Sequence, residues 1–151
     1  MKTPAKARRF ATQILYQMSP VEHSNAVVGF DLDRILLDFW SKAGELVKPE
    51  IKDLTEHRVR GVLAEKDKLD VLIEKHSQNW RLDRMSPVDL AILRLSSFEL
   101  LSTPEVPTGV CIDEAIMLAK QFSTSDAPAF INGILDAMAK DLRPLPVESN
   151  L

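Results

Sequence analysis

The residues of this chain best suited to chemistry are cations near its start. Lys2, Lys6, Arg8 and Arg9 stand within the first ten residues, with no acid among them, in the stretch MKTPAKARRFATQILYQ. If that stretch is helical, Lys6, Arg9 and Gln13 share one face, Tyr16 continues the same ridge and Arg8 lies at its flank. Positive charge at a helix N-terminus opposes the macrodipole, so these residues gain nothing from the helix they start. Cations that hold phosphates beside an aromatic ring that stacks on a base are the equipment of single-stranded RNA binding. The plain alternative is a solvated helix start, and spacing alone leaves both open.

A second unusual pair is Asn132 and Gly133, in DAPAFINGILDAMAK. Asp126 reads as the N-cap of a helix there, with Pro128 in its first turn. A mid-helix glycine costs about 1 kcal/mol relative to alanine, and the helix backbone has no use for the Asn132 amide. Asn132 either bonds a neighbouring loop or offers its donors and acceptor to a partner. Gly133 would let another backbone or a nucleotide come close. His76 ends an apolar stripe and reads as a core histidine or a ligand, while Asp89 closes a capping-box-like pair with Ser86.

Catalysis finds little support. His23, His57 and His76 lie far apart without metal-ligand spacing, and the five glycines are scattered rather than gathered into a phosphate loop. The single Cys111 excludes a disulfide framework and a multi-thiolate metal site, and beside Ile112 it reads as a small buried hydrophobe. The expectation is a protein that is not an enzyme and carries no cofactor and no metal.

The elements that must position these residues are helices. From 151 residues, with 45% hydrophobic and 27% charged content, one domain with a proper core is expected. A net charge of −3 argues against generic nucleic-acid binding, so any RNA site must be a local patch. Neither a signal peptide nor a membrane-length apolar run is recognisable, which suggests the cytoplasm. Ala7, Phe10, Ala11, Ile14, Leu15 and Met18 form one face of a first helix, capped by Thr3 and followed by a loop with Pro20, Asn25 and Gly29. A second helix carries Leu32, Ile35, Leu36, Phe39 and Ala43 and stops at Gly44; a third spans about 49–65. The stripe Leu69, Leu72, Ile73 and His76 marks a fourth, and Trp80 and Leu82 lie in the connection after it. The fifth, opening at Ser86–Pro87, is apolar almost all round and should be surrounded by others. A sixth begins at Thr108 or Gly109 and the seventh holds Asn132, giving an all-α single domain over 1–143 with a loose tail over 144–151.

Four stretches, in order, resemble the NusB family of bacterial transcription antitermination factors: KARRFATQILYQ, LDRMSPVDLAILRLSSFELL, VPTGVCIDEAIMLAKQF and FINGILDAM. The resemblance implies about seven helices in two packed bundles, and a first helix that binds the boxA segment of nascent RNA. It further implies docking of NusE, a ribosomal small-subunit protein, and assembly with other Nus factors and RNA polymerase to suppress premature termination, notably in ribosomal RNA operons. Carried over by position, Lys6, Arg8, Gln13 and Tyr16, with Lys2 and Arg9 beside them, match the RNA-binding helix. Lys120, Asp126, Phe130 and Asn132 match the rest of the RNA face, and His76, Asp89 and Glu99 fall where the family meets NusE. Ala5, Asp113 and Ala129 depart from the family pattern, each reducing attraction for phosphate. The alternatives are a protein-binding helical module, an accessory domain of a ribosomal RNA methyltransferase, and a homodimer that buries the RNA face.

Overall fold

Helical periodicity, interrupted at caps and prolines, becomes seven α-helices and one 3-10 turn among the residues the computed structural model describes, which are 2–22, 31–43, 46–78 and 80–144. The helices are α1 (Thr3–Glu22), α2 (Leu32–Ser41), α3 (Pro49–Ala64), α4 (Lys66–His76), α5 (Pro87–Ser102), α6 (Thr108–Phe122) and α7 (Ala127–Leu142), with the 3-10 turn at Leu82–Arg84. The expected all-α class is met. Thr3 lies inside the first turn rather than capping it, since the Lys6 amide already bonds the Lys2 carbonyl. α1 also runs through Pro20 instead of ending before it. A proline near a helix end forfeits only its own amide bond. His23, Asn25, Gly29, Gly44 and the tail beyond Pro144 lie outside the described residues.

Contacts divide the chain into two units, Met1–Ala64 and Glu65–Leu151. In the first, α1 packs on α3 around Ala7, Phe10, Val47 and Ile51, with Phe39, Trp40, Ala43 and Leu54 against them. Phe10, Phe39 and Trp40 meet edge to face, their centroids 5.1–5.9 Å apart. Ala7 is small enough for α3 to come close, so that Thr55 Oγ1 stands 3.5 Å from its carbonyl. Polar links join α2 to α3: the Trp40 indole donates to Glu56 at 3.1 Å, and Arg60 pairs with Asp33.

The second unit is built around α5. Ser86 Oγ accepts from the Asp89 amide at 3.2 Å and Pro87 begins the helix, as its sequence predicts. Every residue from Leu90 to Leu100 is buried, with α4, α6 and α7 packed against it. Arg94 answers its own burial by donating Nε and Nη2 to the two carboxylate oxygens of Asp70 on α4, at 2.8 and 3.0 Å. The carbonyls at the C-terminal end of α5 and in the loop after it are met by the C-cap residue of α7: the Arg143 guanidinium donates to Glu99 (2.9 Å), Leu100 (2.9 Å), Thr103 (2.8 Å) and Val106 (2.5 Å).

One planar cation thus gathers four carbonyls of the helix end and the loop after it; those of Glu99 and Thr103 also accept the Thr103 and Val106 amides. Arg143→Met should lower unfolding free energy by about 1–3 kcal/mol, because the part-buried Leu100 and Val106 carbonyls lose their charged donor. Arg143→Lys should recover little, because an ammonium lacks the fork. Urea denaturation of the two variants checks this.

Candidate nucleic-acid interface

In the first unit, α1 buries more of its circumference than its apolar residues require. Arg8, Thr12, Leu15 and Ser19, at i, i+4, i+7 and i+11, are buried beside the apolar face. Together the two stripes cover an arc of roughly 200° at the helical period. Arg8, expected at the flank of the polar ridge and among the RNA contacts, is instead buried: it is 5% exposed and engaged in interactions. Its position at the edge of the apolar arc is the reason. Thr12, one turn on, turns its hydroxyl back to the Arg8 carbonyl at 2.8 Å.

What remains outside is a narrow face with Lys2, Lys6, Arg9, Gln13, Tyr16 and Gln17. Tyr16 is 51% exposed. Arg9 holds its guanidinium carbon 5.2 Å from the Phe10 ring centroid. Between this face and α2 runs a groove of about 670 Å³, lined on one side by Arg9, Gln13, Tyr16 and Gln17 and on the other by Asp38, Phe39 and Lys42. Lys42 pairs with Asp38 at 3.1 Å. A strand lying there would meet a cation on each wall and aromatic surface between. The second wall was not found in the sequence, where α2 shows only its core stripe.

In the second unit, Phe130 meets Trp80 edge to face, with centroids 5.7 Å apart. This pair borders two clefts. One, of about 410 Å³, includes Lys75, His76, Gln78 and Gly133. The other, of about 160 Å³, includes Arg84, Ser86, Asp89 and Asp126. The structure therefore brings Phe130 and Asp126, predicted for RNA, together with His76 and Asp89, predicted for a protein partner. Lys120 is exposed in the last turn of α6, and Asn132 is half-buried on α7; neither lines these clefts. The Asn132 amide makes no hydrogen bond to any described residue.

The three partner candidates differ. Glu99 is 1% exposed within α5, so no partner can reach it, and it is corrected to an interior residue. A helix surrounded on all sides has no outer face, whatever the polarity of one residue. The Asp89 carboxylate accepts from Ser123 Oγ at 2.6 Å rather than closing a capping box, tying α5 to the segment after α6. Asp126 stands at the N-cap of α7, where its carbonyl accepts from the Phe130 amide at 3.3 Å but its side chain makes no cap bond. His76 is held at both ring nitrogens: Nδ1 lies 2.8 Å from the Leu72 carbonyl and Nε2 2.6 Å from Asp141 Oδ2. Both ring nitrogens are thus within hydrogen-bond distance of an oxygen, which fixes the orientation of the ring. The hydrogen bond from His76 is the main cause that holds the Asp141 carboxyl below its ordinary value; desolvation opposes it and Lys75 adds to it.

Trp80 was missed by sequence reasoning, which placed it in a connection and assigned it nothing. The available signal was a tryptophan outside any apolar period, followed by Arg81 and Arg84.

The model of the NusB family matches residues 5–140. The transcription antitermination protein NusB of Anaeromyxobacter dehalogenans strain 2CP-1 is 45% identical over 139 residues, covering 92% of each chain. That of Myxococcus xanthus is 41% identical over 134 residues, covering 87% of this chain and 91% of its own. Among solved structures, NusB from T. maritima is 33% identical with a TM-score of 0.78, covering 93% of this chain and 94% of its own. A chain from a crystal structure of antitermination factors NusB and NusE in complex with double-stranded RNA has the same TM-score of 0.78 and covers 93% of this chain and 98% of its own. At 23% identity its likeness concerns the fold alone.

Two predictions come from this geometry. A carboxyl whose folded value is depressed stabilises the fold fully above its ordinary value of 3.8, and that contribution disappears as pH falls through the lowered folded value. Asp141→Asn should therefore melt below the parent at about pH 5.5, the gap closing in strong acid; thermal melts across that range test the sign. At Gly133, an added Cβ would meet nothing within 4 Å. Gly133→Ala should then raise stability by about 0.5–1 kcal/mol, read as a higher urea midpoint with unchanged slope.

Proposed function

The chain belongs to the NusB family, and from that premise we propose that it is a transcription antitermination factor, binding boxA-type single-stranded RNA together with NusE. It would then work in the cytoplasm with other Nus factors on RNA polymerase, suppressing premature termination, notably in ribosomal RNA operons, and no chemistry would be involved. No described helix is long and apolar enough to cross a membrane.

The observation that carries this reading is the groove beside α1. In a chain of net charge −3, Arg9, Gln13 and exposed Tyr16 border one open channel, with Lys42 across it. Stacking on Tyr16 would hold a base, while Arg9 and Lys42, with Lys2 and Lys6 on the same helix, attract phosphates. In the second unit, taken by itself, Lys120, Asp126, Phe130 and Asn132 would contact RNA as well, and His76 and Asp89 would meet the protein partner. Arg8 enters this reading as a packing residue beneath the ridge.

Tyr16→Ala should weaken binding of labelled boxA RNA by roughly 5- to 150-fold, the worth of one stacked base. Arg9→Ala should lower the slope of log affinity against log salt by about 0.7, the loss of one phosphate contact on a single strand. Adding NusE should tighten binding of the parent protein. Equal affinities with and without NusE, together with an unaffected Tyr16→Ala, would refute the reading.

A further inference from the structure

The groove between α1 and α2 holds one side chain for which phosphate binding has no use. Asp38 lines it, on the same wall as Lys42 and across from Arg9. A carboxylate repels phosphates, and in a chain of net charge −3 it weakens an attraction that is already small. Its position is firmly held. α2 starts at Asp31, whose side chain accepts from the Arg34 amide at 3.2 Å, and is tied to α3 through Trp40–Glu56 and Asp33–Arg60. A side chain on a braced helix is placed more precisely than one on a loop. The carboxylate meets the Lys42 ammonium at 3.1 Å, with 60% of the Asp38 side chain and 75% of that of Lys42 exposed. Exposed pairs at this spacing contribute little to stability, so support for the helix does not account for the acid, and Lys42 can leave it at small cost.

The other groove residues suit base edges as well as phosphates. Gln13 and Gln17 bring amides that donate and accept. Tyr16 and the pair Phe10–Phe39, edge to face at 5.9 Å, supply aromatic surface. Of the described residues that line the groove, only Asp38 is restricted to accepting. Guanine alone among the RNA bases sets two adjacent donors, N1–H and the N2 amine, on its Watson–Crick edge. Adenine and cytosine place one amine beside a ring-nitrogen acceptor, and uracil places one N–H between two carbonyls. Two carboxylate oxygens match the guanine pair and repel the acceptors that flank a single donor.

We propose that Asp38 selects guanine at one position of the bound RNA. Its carboxylate accepts from N1–H and the N2 amine, while Lys42 leaves the ion pair for a neighbouring phosphate. The base edge thus replaces the ammonium, and neither charge is left without a partner. Specificity is a difference of affinities, and the carboxylate acts on both sides of it: it adds bonds to guanine and repulsion against other bases. The inference rests on the RNA reading above and adds base identity, which Arg9, Lys42 and Tyr16 cannot read, since phosphates and flat faces are common to every nucleotide.

The test titrates the full chain, with NusE present, against labelled boxA RNA and three labelled oligouridines. One is unbroken, one carries a single central guanosine, and one carries inosine there, which keeps N1–H but lacks the amine. The parent should favour the guanosine oligomer over the unbroken one at least about fivefold, with inosine between them. Asp38→Ala should bind unbroken oligouridine at least as tightly as the parent, because a repulsion is gone, and should lose most of the preference. Tighter binding with lost discrimination cannot come from a damaged fold. Asp38→Asn, which turns one acceptor into a donor, should lose the preference too, and decides if Asp38→Ala does not fold. Lys42→Gln should weaken binding of every RNA and lower the salt slope by about 0.7 with the preference kept. A parent that binds boxA RNA without favouring guanosine, or a preference unchanged in Asp38→Ala and Asp38→Asn, would overturn the proposal and leave the RNA reading intact. Equal weakening of all RNAs by Asp38→Ala would make Asp38 a structural residue and overturn it as well. Failure of the parent to bind boxA RNA would overturn both.

Discussion

A helix enclosed on every side exchanges water for protein at each polar group it carries, and α5 does so from Leu90 to Leu100. Its stability then depends on whether those groups find partners. Asp70 supplies a two-pronged acceptor for Arg94, and truncating either partner of a buried pair of this kind costs about 3–5 kcal/mol. Ser96 and Thr103 turn their hydroxyls back to the carbonyls of Ile92 and Glu99, four residues earlier. Ser97 Oγ alone among the buried side-chain atoms of the described residues lacks a partner. The C-terminal end depends on Arg143, which comes from the far end of α7. Because α4 and α7 both dock on α5, the same constraint that satisfies its interior also fixes the turn after α4 and the middle of α7. Trp80 and Phe130 are thereby brought within 5.7 Å of each other.

The first unit meets a different constraint. Its aromatic cluster and the α1–α3 seam take up so much of α1 that only a narrow strip is left to solvent. A narrow strip cannot hold many charges, and this one holds Lys2, Lys6 and Arg9 with Tyr16. The groove compensates by adding the facing wall of α2, so that a ligand would be met from both sides rather than on a flat surface. In an acidic chain this favours short-range contact over long-range attraction, since salt screens distant charges beyond about 8–10 Å.

Helices, their order and most of their ends were legible in the sequence, because apolar spacing and caps such as Ser86–Pro87 are local signals. The burial of α5 was legible too, from its lack of a polar face. What failed to show were consequences of contact between segments far apart in sequence. Arg8 looks like a surface cation until Thr12 and Ser19 reveal a second buried stripe on α1. Glu99 looks like a surface acid on a helix that has no surface. Arg143 reads as the last residue before a polar tail, yet it reaches back 44 residues to the Glu99 carbonyl. The α2 wall of the groove escaped for the same reason: Asp38 and Lys42 acquire meaning only once α1 lies beside them.

Asn132 and Gly133 illustrate how one local oddity separates into two. Neighbours on a helix point about 100° apart, so the two residues address different surfaces although they are adjacent in the chain. Gly133 falls in register with Ala129 and Ala137, one turn away on either side, and these small residues together hollow the side of α7 that faces Trp80. Asn132 lies outside that hollow, its amide unbonded by any described residue. If the pair existed to let another part of the fold approach, the space at Gly133 would be filled by protein. It is open instead. Gly133 therefore gives up about 1 kcal/mol of helix stability at an exposed position where no packing contact repays it.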